Sequence, residues 1–306
     1  MNLAVIAAIS ASILWAITIH IDKIMISHTG ESSVNIKALL VFSTLIAGIV
    51  LSPIWLITSN FNVGISTISL ICVVVASIIY ILATYFYYKS LEENDASIVV
   101  VMSQLIPVFS YILALIFFKE NLTLAQIIGS IIITLSAILI SFNFEEKNNK
   151  SKKTALFLMI MSSLGYAVYF VLFDIAIRHS EYNSCAFWYQ MGFLALGIIL
   201  ISIKSFRKSF INVIKTNGKK YVSLNVTNEA LNLGSNLLIN FANVTIPLAL
   251  ANVLSGLQGM FVFIIGIIGV KVLPKYFKEN LDKKVIIQKV VCIILGIIGL
   301  IVMFMG

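Results

Sequence analysis

The chain has 306 residues, of which 60% are hydrophobic and only 11% are charged. Soluble domains have about 45–50% apolar and about 25% charged residues, so this composition excludes a soluble protein and indicates one that lies in a bilayer. The net charge of +8 comes from basic residues in short segments between apolar runs, which is typical of membrane proteins, and we expect no nucleic-acid partner. Because Cys72, Cys185 and Cys292 are scattered, without CxxC or Cys/His spacing, we expect neither a disulfide framework nor a metal site.

Ten apolar runs are long enough to cross a membrane, since a helix needs about 20 mostly apolar residues to span about 30 Å of hydrocarbon. In chain order, spans 1 to 10 are predicted at residues 3–26, 38–58, 64–88, 96–118, 123–142, 154–177, 184–203, 222–244, 246–270 and 285–305. Pro247 separates spans 8 and 9, because proline opens a helix readily and interrupts one badly. The first run is too long for a cleaved signal peptide. We therefore predict an all-α membrane protein with ten transmembrane helices.

The second half of the chain repeats the first at an offset near 152 residues. Lys119-Glu120-Asn121-Leu122-Thr123 matches Lys278-Glu279-Asn280-Leu281-Asp282, and each segment opens an apolar run. Further matches join Ser103, Pro107 and Phe109 to Ser255, Gly259 and Phe261, and Ser12, Trp15 and Ala16 to Ser163, Tyr166 and Ala167. Because five is odd, two five-helix repeats enter the membrane from opposite sides, as is typical of secondary transporters. We predict inverted repeats at residues 1–144 and 154–306 with a charged linker at 145–153; chance similarity between Leu/Ile-rich helices is the alternative.

Residues 88–141 resemble the EamA repeat of the drug/metabolite transporter superfamily. The resemblance lies in Ala96-Ser97, Pro107-Val108-Phe109, Lys119-Glu120-Asn121-Leu122-Thr123 and Gln126-Ile127-Ile128-Gly129. A weaker copy, in residues 252–258 and Glu279, is similar to the partner repeat. The resemblance implies a ten-helix exporter or exchanger of small metabolites that does not hydrolyse ATP, and it implies no particular substrate.

Span 8 carries a polar stripe. Its members recur every three or four residues, which places them on one helix face: Asn225, Asn228, Glu229, Asn232, Asn236, Asn240 and Asn243. The repeat offset maps four of them onto Ser77, Tyr80, Thr84 and Tyr88 of span 3. We interpret spans 3 and 8 as facing walls of a transport pathway, because a face this polar cannot contact lipid. Interhelical hydrogen bonding that only holds the bundle together is the alternative.

Glu229 is the one carboxylate predicted well inside a span, and ionisable groups at such depth are functional candidates. It is suited to gain and lose a proton during a transport cycle, or to pair with a substrate amine. A protonated glutamate bonded to a neighbouring asparagine is the structural alternative.

Other polar groups complete the predicted site. Spans 1 and 6 contribute aromatic residues that suit an amphipathic pocket, although interfacial anchoring also explains them, and Pro107 is expected to kink span 4. The predicted substrate-binding residues are Glu229, Asn232, Asn236, Asn228, Asn252, Gln258, Tyr80, Thr84, Trp15 and Tyr166. His20, Asp22 and Asp174 lie near span ends, where an interfacial position or a part in a gate is expected.

The starts of spans 5 and 10 have a structural interpretation. Glu120 and Glu279 suit helix N-termini, where the macrodipole favours carboxylates. Gly129 and Gly296 permit close helix packing, either between the halves or in a homodimer through spans 5 and 10.

The positive-inside rule gives an orientation. All basic residues except Lys119 and Arg178 lie in the same set of loops, which the rule places in the cytoplasm with both termini outside. Many members of the resembling superfamily have both termini inside, so the two arguments conflict.

These features together favour a secondary transporter in the plasma membrane. We expect it to move a small polar or amphipathic metabolite, amino-acid-like or drug-like, by alternating access as an exporter or exchanger, with protons as a coupling ion. A flippase of a lipid-linked intermediate is the alternative, followed by an intramembrane enzyme and a channel. No cofactor or enzymatic activity is expected, because neither a P-loop nor a catalytic dyad at a suitable depth is present.

Overall fold

The structure is a computed structural model that describes residues 2–26, 36–118, 123–141, 150–245, 254–277 and 279–305. Nearly all of these residues are helical, and none of the described residues lies in a strand. The predicted all-α class is therefore confirmed.

The described residues form the following helices, in chain order. They are α1 (Asn2–Ile26), α2 (Ile36–Ile46), α3 (Ser52–Thr58), α4 (Thr67–Glu93), α5 (Ala96–Ser103), α6 (Leu105–Phe118), α7 (Leu124–Ser141), α8 (Lys150–His179), α9 (Tyr182–Ser202), α10 (Lys204–Thr245), α11 (Gln258–Val272) and α12 (Lys283–Met305). A π-helical turn at Ala47–Leu51 joins α2 to α3.

Many of these helices suit a bilayer. In the described part of the chain, seven helical stretches are long and apolar enough to cross a membrane, and α11 and most of α7 are shorter apolar helices. The protein is therefore an integral membrane protein, while the predicted count of ten spans is not confirmed.

The basic segment before span 8 is helical, although the sequence predicts it as a loop. Span 8 forms the second part of α10, which is 42 residues long. The segment 204–220 contains no proline, and lysine and arginine are good helix formers, so the helix continues through it. Similarly, α8 begins at Lys150, within the predicted linker.

Pro107 interrupts span 4, as predicted. A proline ring clashes with the carbonyl group four residues earlier, which here belongs to Ser103. The helix α5 ends at Ser103 and α6 begins at Leu105, so the break falls at Gln104. The predicted division at Pro247 lies outside the described residues.

Helices of the two halves pack against each other in pairs: α4 along α8, α1 along α10, and α7 along α12. In the predicted repeat, α4 corresponds to the second part of α10, and α1 corresponds to α8. The first two pairs are then equivalent contacts, which is the arrangement that an inverted repeat would produce.

Small residues bring α7 and α12 close together. A Cβ atom on Gly129 would lie 2.6 Å from the Gly299 carbonyl oxygen and 2.6 Å from the Met303 Cβ. These glycines therefore act between the halves of one chain, which was one of the two predicted roles. A homodimer through the same spans stays a prediction.

We expect Gly129→Ala to destabilise the protein, because the added methyl group meets backbone that must move. Overpacking of this kind costs about 1–3 kcal/mol. Thermal unfolding in detergent measures the change, and Gly218→Ala is the matched control, since its Cβ would meet nothing closer than Ile214 Cγ2 at 3.6 Å. Equal unfolding midpoints for the two variants would contradict the close contact.

Candidate functional site

Three helices bring polar side chains together in the interior of the bundle. Asp22 of α1 accepts hydrogen bonds from Tyr87 Oη of α4 at 3.1 Å and from Asn228 Nδ2 of α10 at 2.9 Å. Asp22 is 8% exposed and Asn228 is 3% exposed. We call Asp22, Tyr87, Asn228 and Glu229 the acidic centre. Its members come from both halves of the chain.

Glu229 contributes a second carboxyl group to the acidic centre. It follows Asn228 on α10, is half-buried, and lies close enough to Asp22 for the two carboxylate charges to repel. It also lies within electrostatic range of the Tyr80 and Tyr88 hydroxyl groups of α4. That spans 3 and 8 are facing walls of one pathway stays a prediction.

The polar stripe of α10 is not uniformly enclosed. Asn225 and Asn228 are buried, Asn232 is half-buried, and Asn236 is exposed. Asn225 Nδ2 donates to Ser43 Oγ of α2 at 3.3 Å, so part of the stripe does hold helices together. Among the described side chains of the stripe, those that remain for a ligand are Asn228, Glu229, Asn232 and the unpartnered Oδ1 of Asn225.

Tyrosines form an aromatic wall beside the acidic centre. Thr84 and Tyr166 share a hydrogen bond of 3.0 Å between their hydroxyl groups. The Tyr80 ring lies edge-on to Tyr166 and Tyr169, with ring centroids 5.0 and 5.3 Å away. Three predicted site residues, Tyr80, Thr84 and Tyr166, are thus brought together. We call Tyr80, Thr84, Tyr166 and Tyr169 the tyrosine wall.

The other predicted residues lie elsewhere or are not described. Trp15 is half-buried and packs with the alanine-rich start of α1 and with Ile239, about two helical turns from Asp22. Gln258 is half-buried at the start of α11. Asn252 lies outside the described residues.

Asp22 is more enclosed than its place near the end of span 1 suggests, because α4 and α10 cover that end of α1 and enclose the carboxyl group. His20 is also buried, and its Nε2 donates to the Val262 carbonyl oxygen at 2.8 Å. An interfacial depth, or a part in a gate, stays a prediction for both residues. Asp174 does lie at a more exposed position, paired with Arg178. The sequence does contain a signal that Asp22 faces other helices. Asp22 has helical spacing from Trp15 and Thr18, so the three side chains lie on one face of α1.

A second charged cluster joins the halves at Lys289 of α12. Lys289 is 1% exposed, and its Nζ lies 2.6 Å from Asp95 Oδ2 and 2.7 Å from Glu279 Oε1. Ser97 of α5 also donates to Glu279 Oε1. We call Asp95, Ser97, Glu279 and Lys289 the lysine cluster.

The lysine cluster corrects two interpretations. Glu279 does not begin α12, which starts at Lys283, so a buried ion pair rather than the helix macrodipole explains it. Lys289 is not a loop residue and does not count toward the orientation rule. Glu120 lies outside the described residues. In contrast, Thr123 caps α7 as expected, because its Oγ1 accepts from the Gln126 backbone N–H at 3.2 Å.

Comparison with known proteins gives one family match and one curated relative. Residues 2–142 match the model of the EamA-like transporter family, which confirms the resemblance seen in the sequence. An uncharacterized protein of Methanocaldococcus jannaschii is 33% identical over 70 residues, which are 23% of this chain and 51% of that protein. The alignment thus spans about half the length of that relative. The residues that match the family model are a little less than half of the chain.

Proposed function

We propose, from the match of residues 2–142 to the EamA-like transporter family, that the protein is a secondary transporter of a small polar or amphipathic metabolite. It works by alternating access in the plasma membrane, as an exporter or exchanger coupled to protons. The two halves rock against each other around the acidic centre.

The observation that carries this proposal is the composition of the acidic centre. Two carboxyl groups, from Asp22 and Glu229, lie within electrostatic range of each other, and α1 and α4 beside them are apolar enough to span a membrane. Charged groups in such a position are expensive and mark ion or substrate pathways. Two carboxyl groups within electrostatic range disfavour each other's ionised form, so the pair suits the binding of a proton or a cation.

The position of the acidic centre also supports transport. In transporters with inverted repeats, the substrate site lies between the repeats near the middle of the membrane. Here α1 and α4 supply Asp22 and Tyr87, while α10 supplies Asn228 and Glu229. Rocking of the halves would change the access to this site from one side of the membrane to the other. We assign to Asn232, which is half-buried on α10, the role of binding the substrate through hydrogen bonds.

Uptake by purified protein in proteoliposomes tests the proposal. A panel of amino acids, amines and amphipathic drugs is supplied with and without a pH gradient. Uptake by liposomes without protein gives the rate of leakage. We expect saturable uptake of at least one compound that responds to the gradient. Movement of a fluorescent lipid with no uptake of any soluble compound would contradict the proposal and favour the flippase.

A further inference from the structure

We propose that the acidic centre binds the protonated primary amine of a small amphipathic substrate, whose apolar part lies against the tyrosine wall. The inference rests on the proposed transport function, because it names the substrate class for the same site.

Two asparagine side-chain oxygens, in and next to the acidic centre, have no hydrogen-bond donor. A carboxylate only accepts hydrogen bonds, so Asn228 must turn its Nδ2 toward Asp22, and its Oδ1 is left without a donor. Asn225, one turn earlier on α10 and 1% exposed, also has an unpartnered Oδ1. Buried carbonyl oxygens are normally hydrogen-bonded. The missing partner is therefore a hydrogen-bond donor.

The missing partner also carries positive charge. Among the described residues, no lysine, arginine or histidine forms an ion pair with Asp22 or Glu229. Lys23, next to Asp22 in sequence, donates instead to the carbonyl oxygens of Leu91 and Asn94 at 2.6 and 2.9 Å. Buried charges in proteins are paired. Two carboxyl groups that no described side chain pairs with as a cation therefore suit protons or a bound cation.

A primary ammonium group fits both requirements. It has three N–H donors and one positive charge, which suit a carboxylate together with two amide oxygens. A trimethylammonium group has the same charge but no N–H group, so it cannot satisfy the oxygens of Asn225 and Asn228.

The tyrosine wall suits the rest of the substrate. Tyr80 is within electrostatic range of Glu229, and its ring contacts Tyr166 and Tyr169. Aromatic rings beside a cationic group bind apolar tails and attract the cation itself. The geometry therefore favours an aralkyl or alkyl amine over a small inorganic cation.

Binding to the purified full-length protein tests this inference without requiring transport. The probes are phenethylamine, its N,N,N-trimethyl analogue, 2-phenylethanol and sodium ion, and the readout is a calorimetric or thermal-shift titration. We expect saturable binding of phenethylamine, with the other three probes at least about tenfold weaker, since each lacks the N–H groups, the charge or the tail.

Two variants locate the binding. Asp22→Asn and Glu229→Gln each weaken phenethylamine binding by at least about tenfold. Among the described residues, none forms a hydrogen bond with the Glu229 side chain, so its variant keeps the packing even if Asp22→Asn fails to fold. Asp174→Asn, which removes a more exposed carboxylate on α8, is the matched control and leaves binding unchanged.

The outcomes separate this inference from the proposed function. Equal binding of the trimethyl analogue or of the alcohol overturns the inference, and so does the absence of phenethylamine binding. If the transported metabolite is neutral or anionic, and substitutions in the acidic centre abolish its transport, the inference is overturned while the transport function stands. Binding of the amine as expected, with no uptake of any compound, upholds the amine site and overturns the transport function.

Discussion

Replacing Lys289 with methionine lowers the free energy of unfolding by about 3–5 kcal/mol, because it leaves two carboxylates without their cation. Lys289 is 1% exposed and pairs with Glu279, whose side chain is 2% exposed, and with Asp95, whose side chain is 23% exposed. Thermal unfolding in detergent, followed by intrinsic fluorescence, measures the loss. Of the proposed substitutions, this one has the largest expected effect on stability.

Two further variants isolate the charge effect. Lys283→Met removes an exposed lysine from the same helix and should change the unfolding midpoint little. The double variant Lys289→Met, Glu279→Leu should recover much of the lost stability, because both buried charges are then absent. If Lys289→Met and Lys283→Met unfold at the same temperature, the lysine cluster does not hold the two halves together.

Replacing Glu229 with glutamine abolishes accumulation of substrate in response to a pH gradient, while exchange of substrate at equal pH continues when the substrate is saturating. A gradient of one pH unit corresponds to about 1.36 kcal/mol, or about a tenfold concentration ratio when one proton is exchanged. Glutamine keeps the size of the side chain but carries no exchangeable charge. The wild-type protein should reach that ratio and the variant should not.

The control for this measurement is Asp174→Asn, which removes a carboxylate outside the acidic centre and should accumulate substrate as the wild type does. Asp22, Tyr80 and Tyr88 are the titratable groups that face Glu229, so Asp22→Asn is measured alongside. An unchanged accumulation ratio in Glu229→Gln would falsify the role of Glu229 as the proton carrier.

The sequence predicts the helical class because apolar runs carry the signal directly. It also locates the break near Pro107, since the constraint acts within one turn of the helix. The polar stripe of α10 was visible for the same reason, because helical spacing is local information.

The sequence could not predict which helix ends would be covered by other helices. Asp22 and Lys289 both lie near the ends of apolar runs, where charged residues usually reach water. Their burial depends on α4 and α10 in one case and on the segment around Asp95 and Glu279 in the other. Such contacts join residues far apart in the chain, so no local pattern reveals them.

The sequence also does not reveal which side chains contact the polar stripe of α10. Asn225 and Asn236 look equivalent in the sequence, yet the first is buried against α2 and the second is exposed. The packing of α10 along α1 and α2 decides which of these asparagines can face a ligand.

Accessibility of one cysteine from each side of the membrane tests alternating access at the acidic centre most directly. Asn232→Cys is introduced with Cys72, Cys185 and Cys292 replaced by serine, and Leu237→Cys, at a 57% exposed apolar position, is the control. A membrane-impermeant thiol reagent is applied to intact cells and to inverted vesicles. We expect Asn232→Cys to be labelled from both sides and Leu237→Cys from neither; labelling of Asn232→Cys from one side alone would contradict alternating access at this site.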